Sequence, residues 1–129
     1  MAKCLAAAPT FVVSDVGATA RWYRDHLGFD QLAFFPKAEP YVWASMQRDE
    51  IRIMLLRIEG YQKPDIAHLR PAGLWDAYIS VRGVRELHEA VRQTTPIQMQ
   101  LTQQPYGDWE FEVHDPNGYV LVFSELIEE

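Results

Sequence analysis

The chain of 129 residues repeats its own apolar pattern at a constant offset of 68 residues. The stretch Phe11-Val12-Val13-Ser14-Asp15-Val16 lies over Ile79-Ser80-Val81-Arg82-Gly83-Val84 with the same alternation. Further along, Trp43 falls over Phe111, Asp49 over Asn117, Ile53 over Leu121 and Leu55 over Phe123, with no gap in the shift. Self-similarity at fixed spacing means that one supersecondary unit is used twice. A chain this long makes about one domain, since domains cluster near ~100–150 residues.

Each half reads as strand, helix, strand, strand, strand. Residues 11–13 alternate as a strand. A helix follows with Val16, Ala20, Tyr23 and Leu27 on one face. Ser14 or Asp15 caps its first amides, and Gly28 stops it. Strands are expected near 31–36, 41–47 and 51–58. In the second half a strand over 75–81 leads to a helix with Val84, Leu87 and Val91 on its inner face, ended before Pro96. Strands near 98–103, 109–114 and 119–125 follow, and Asp115-Pro116-Asn117-Gly118 is a tight turn. Gly60, Pro64, Pro71 and Gly73 mark a linker. The expected organisation is one domain over 1–129, with a first module over about 1–58, a linker over about 59–73 and a second module over about 74–129. The fold class is α+β, two βαβββ modules in tandem.

Charge narrows the partners. Twelve Lys and Arg against eighteen Asp and Glu leave a net charge of −6. With no basic cluster, phosphate neutralisation cannot drive binding, so no nucleic-acid partner is expected. An acidic surface favours cationic or neutral ligands. The single cysteine, Cys4, excludes an internal disulfide framework and suits a reducing cytoplasm. No apolar run approaches the ~20 residues of a membrane helix, and no signal-peptide core forms at the start, so no membrane partner is expected.

With paired βαβββ modules, the chain resembles the vicinal-oxygen-chelate superfamily, which includes glyoxalase I, ring-cleaving dioxygenases and the fosfomycin- and bleomycin-resistance proteins. The most specific piece runs from Gln104-Pro105-Tyr106-Gly107 through Glu110-Phe111 to Asp115-Pro116-Asn117-Gly118. It looks like the family's proline, aromatic, glycine, Glu-Phe and Asp-Pro-x-Gly stretch. Pro9 before the first strand, Asp15 opening a helix and Leu27-Gly28-Phe29 at its end match too. Val81-Arg82-Gly83-Val84 with Glu86-Leu87 is most similar to the bleomycin-resistance branch. The resemblance implies curved mixed sheets around a groove and a strand-exchanged homodimer, with Pro9 letting the first strand cross to a partner. It also implies metal ligands at Ala8, Met54, Asp76 and Val122. Ala8 and Val122 carry no donor atom and Met54 only a thioether, so no metal and no cofactor are expected.

The strand faces opposite the helices then supply the candidate binding residues. Arg52, Asp76, Tyr78, Glu110 and Glu112 fall on those faces, and Trp75, Trp109 and Tyr106 stand near strand starts at a groove mouth. Alternation sends the Trp109 side chain to the core, so it has two readings. Glu110 and Glu112 likewise either line the groove or are solvated, with Arg52 paired to one of them. Such a lining suits a flat, partly cationic molecule held by stacking and charge. The leading expectation is metal-free binding and sequestration of a bleomycin-type antibiotic, with no catalytic residue. The rival is a metal-dependent glyoxalase-like lyase, isomerase or dioxygenase with non-standard ligands from Asp76, Glu110, Glu112 and His114. His26, His68, His88 and His114 show no ligand spacing among themselves.

Overall fold

Eight strands and two helices account for the apolar alternation. A computed structural model describes residues 1–127. Its first half holds β1 (Thr10–Val13), α1 (Val16–Leu27), β2 (Asp30–Phe35), β3 (Trp43–Arg48) and β4 (Ile51–Arg57). Its second holds β5 (Ala77–Ser80), α2 (Val84–Val91), β6 (Met99–Gln103), β7 (Trp109–His114) and β8 (Val120–Glu125). A 3-10 turn, Ala67–Leu69, lies in the stretch between them. The strands form two four-stranded sheets of order β1-β4-β3-β2 and β5-β8-β7-β6. In each, the first strand runs parallel to the last and the remaining pairs are antiparallel. The α+β tandem βαβββ class is the one observed. The chain divides into two compact units after Lys63.

In the first unit, α1 buries Val16, Ala20, Tyr23 and Leu27, each at most 1% exposed. They pack with Phe11, Val13, Ala44, Met46, Ile53 and Leu55, all buried. Each large side chain taken fully out of water contributes about 1.5–3 kcal/mol. The helix starts where Asp15 Oδ1 accepts the Ala18 N–H at 3.0 Å. It ends at Gly28, whose φ of 70° is left-handed backbone that a side chain would strain.

The second unit reaches the same layout by another route. Val84 and Val91 of α2 cover Phe111, Val113, Leu121 and Phe123, and the Phe111 and Phe123 rings stack at 5.0 Å. Gly83 sits at the N-cap with φ 87° and offers no side chain to the helix. Glu125 at the end of β8 substitutes for it. One carboxylate oxygen, Oε1, accepts the N–H groups of Gly83 and Val84 at 3.0 Å each. A carboxylate there also meets the positive end of the helix dipole.

The constant offset needs one correction. Trp43 pairs with Leu56 and Ala44 with Leu55, whereas Glu110 pairs with Ser124 and Phe111 with Phe123. Phe111 is therefore the counterpart of Ala44, and Trp43 that of Glu110. The cause is the hairpin turn. Arg48 pairs with Ile51 across two residues, Asp49 and Glu50. Asp115 donates its N–H to the Tyr119 carbonyl across three, Pro116, Asn117 and Gly118. One extra residue in the second turn shifts β7 by one, and a one-residue shift changes which face a side chain takes. Trp43 consequently stands on the open face of its sheet, away from α1.

Candidate functional site

In-register partners share a sheet face, and strand neighbours alternate between faces. Tyr78 pairs with Val122, which pairs with Glu112. Ser80 pairs with Ser124, which pairs with Glu110. These residues occupy the face of the second sheet opposite α2. Three of them, Tyr78, Ser124 and Glu110, join Asp108 and Tyr106 in a hydroxyl–carboxylate cluster. Tyr78 donates its hydroxyl to Glu110 Oε2 in a short hydrogen bond. The same hydroxyl stands 2.8 Å from Ser124 Oγ and 3.3 Å from Asp108 Oδ2. Ser124 Oγ donates to Asp108 Oδ2 at 2.9 Å, and Tyr106 donates to Glu110 Oε2 at 2.8 Å.

Glu110 is only 3% exposed. Among the described residues, no Lys, Arg or His forms an ion pair with it or with Asp108. Its negative charge is held instead by phenol donors, since a buried carboxylate must be hydrogen-bonded. The phenols respond. Burial, reinforced by the Glu110 carboxylate, raises Tyr78 well above the ordinary phenol range. The same two causes push Tyr106 up to about 12. Both hydroxyls stay protonated donors at neutral pH. An open cleft of about 410 Å³ reaches the cluster at Asp108 and Ser124, with Ser80 and Arg82 beside them.

This fold has relatives. The family model for the Glyoxalase/Bleomycin resistance protein/Dioxygenase superfamily matches residues 6–123. The chain belongs to this superfamily. Among solved structures it is similar to the bleomycin-binding protein from bleomycin-producing Streptomyces verticillus, in complex with copper(II)-bleomycin. That protein is 26% identical, with a TM-score of 0.68 over 95% of this chain and 97% of the other. TioX from Micromonospora sp. ML1 is 18% identical, with a TM-score of 0.71 over 92% and 95% of the two chains. A glyoxalase-related enzyme from Clostridium phytofermentans is 17% identical, with a TM-score of 0.73 over 98% of each chain. At those identities the last two show a shared fold. No curated protein sequence matches.

Within this superfamily member, the four positions implied as metal ligands do not make a donor set. Ala8 and Val122 have no ligating atom, and Met54 offers only sulfur. Asp76 Oδ2 accepts the Val120 N–H at 2.8 Å. No group of three or more His, Cys, Asp or Glu side chains that could hold a metal ion occurs among the described residues. A hard divalent ion needs several oxygen or nitrogen ligands together, so these residues do not fit one.

The other candidate residues spread out. Trp75 is half-exposed, and its ring lies 5.4 Å from that of Tyr78. Glu112 leaves the cluster to accept from His114 Nε2 at 2.7 Å. Arg52, in the first unit, donates to Ser45 Oγ from Nη2 at 2.9 Å and Nε at 3.3 Å. Trp109 lies on the other face, in register with Glu125 and alternate to Glu110. The Arg85 guanidinium covers its ring at 5.1 Å, and its indole N–H is sealed without a partner. Trp109 thus lies on the α2 side, away from the Tyr78–Glu110 cluster, because adjacent strand residues take opposite faces.

Asp108 and Ser124 are the cluster members missing from the expected set. Asp108 was readable by carrying the alternation of Glu112 and Glu110 one step further back, past the strand start. Ser124 sits two residues beyond Val122, so strand alternation already puts it on the same face, although it is not among the candidate binding residues.

Proposed function

We propose that this superfamily member binds and sequesters a flat, partly cationic small molecule of the bleomycin type, making and breaking no bond. The observation that carries this reading is the Asp108–Glu110 pair, two carboxylates held by hydroxyls and, among the described residues, in no ion pair with a Lys, Arg or His. An acidic site of this kind attracts a cationic ligand. Trp75, Tyr78 and Tyr106 offer aromatic surface beside it, where rings and cations both find favourable contacts. Asp76 and Glu112 extend the negative face. The likeness to a bleomycin-binding protein at 26% identity supports the ligand class. A homodimer with a ligand groove at its interface belongs to the same proposal, as does a cytoplasmic location. No helix among the described residues is long and apolar enough to cross a membrane.

Equilibrium dialysis against metal-free and copper-loaded bleomycin tests the reading. Retention of the antibiotic unchanged in mass, at a fixed ratio to protein, is the expected result. Absence of both retention and binding heat at high micromolar concentrations removes this ligand class. A chemically altered product in the dialysate removes sequestration.

A further inference from the structure

The cluster leaves two acceptors open. Glu110 Oε2 takes both phenol hydroxyls and Asp108 Oδ2 takes Ser124. Among the described residues nothing donates to Glu110 Oε1 or Asp108 Oδ1. Neither oxygen is sealed, since the sealed and unpartnered side-chain atoms among those residues are Gln31 Nε2 and Trp109 Nε1. A carboxylate accepts and never donates, and each keeps lone pairs for more than one partner. The rim is aromatic. Trp75, Tyr78 and Tyr106 are 48%, 39% and 60% exposed, far more than side chains that serve only to fill a core. Arg82 lines the adjoining cleft but makes no ion pair with Asp108.

We infer that Asp108 and Glu110 receive a cationic head group bearing N–H donors, an amidinium, guanidinium or primary ammonium, with Trp75, Tyr78 and Tyr106 flanking it. This rests on the small-molecule reading above and names the group that reading left general. The open oxygens separate this class from its neighbours. A quaternary ammonium satisfies the rings and the charge but fills neither acceptor. A neutral alcohol fills an acceptor but leaves two carboxylate charges unbalanced. Charge-assisted hydrogen bonds are about twice as strong as neutral ones, and an amidinium presents two parallel N–H groups.

Calorimetry with three probes sharing one ring tests it: benzamidine, benzyltrimethylammonium and benzyl alcohol. Metal-free bleomycin is titrated in parallel. The proteins are the wild type, Asp108→Asn and Glu110→Gln. Asp108 lies just outside β7, so Asp108→Asn leaves the strand ladder intact, and near-UV circular dichroism checks both folds. Benzamidine is expected to bind about tenfold or more tightly than either other probe, and to weaken about tenfold or more in each variant, the loss of one charged hydrogen bond. Equal affinity for benzyltrimethylammonium, or benzamidine binding unchanged in the variants, overturns the inference. If bleomycin binds all three proteins equally, the head-group inference falls and sequestration stands. If benzamidine behaves as expected and bleomycin is not bound, the inference stands and the antibiotic reading falls. If no probe binds, both fall.

Discussion

The two units follow one backbone path and put opposite chemistry on the same row. Across the first sheet, Val12, Leu56, Trp43 and Phe35 stand in register on the open face. The same row of the second sheet reads Ser80, Ser124, Glu110 and Thr102. One row is apolar throughout; the other is polar throughout and holds a buried carboxylate. On the helix-facing side the units agree, with Phe11, Ala44 and Leu55 matched by Ile79, Phe111 and Phe123. The fold therefore requires apolar residues on the covered face alone. The open face is free to diverge, and function follows that freedom. The caps differ in the same spirit. Asp15 caps its helix locally, while Gly83 depends on Glu125, and Arg57 stands where the first unit would carry such a glutamate.

The covered face should show the largest and most equal effects. Leu55→Ala and Phe123→Ala sit at matched buried positions, and each is expected to destabilise by about 2–5 kcal/mol in urea denaturation. If one is near-neutral, the two cores are not equivalent. The open row should show the asymmetry. Glu110→Leu takes the acceptor from the Tyr106 hydroxyl, leaves Tyr78 only Ser124 and Asp108, and is expected to cost about 1–3 kcal/mol. Leu56→Ser, half-exposed on the matched row, is expected to cost less than about 1 kcal/mol.

The caps come next. Asp15→Ala and Glu125→Ala are each expected to cost about 0.5–2 kcal/mol, seen as lowered midpoints. Glu125→Ala should also raise amide exchange at Gly83 and Val84, whereas Asp15→Ala acts at Ala18. The smallest effect lies at high pH. Tyr106 titrates near 12 in the folded chain, above an ordinary phenol. The native state then holds protons that the unfolded state has released, so stability is full below about pH 10 and falls as pH rises toward 12. Glu110→Gln should flatten that fall and lower the phenol transition seen by ultraviolet absorbance. An unchanged transition would show that Glu110 does not hold the proton.

Much of the fold was legible because its signals are local. The face of α1, the Asp15 cap and the Gly28 stop depend on neighbours within a turn, and each stands where the spacing puts it. Strand bounds shifted by a residue or two where pairing decides them, as at β5, which begins at Ala77 rather than at Trp75. The candidate site was legible only in part. Tyr78 and Glu110 lie on the expected face, yet their union with Ser124 and Asp108 joins residues from three strands and the turn before β7.

The sequence by itself settled the period of each element, the twofold repetition and the apolar set beneath each helix, since hydrophobic burial repeats at fixed spacing. The tertiary structure alone decided which residues meet on the open faces. One additional residue in the Asp115–Gly118 turn moved β7 by a single step, placed Glu110 opposite Ser124 and set Trp43 on the matching row of the other unit. Alternation has a period of two, so a local pattern cannot announce a shift of one; only the hydrogen-bonded register between strands fixes it.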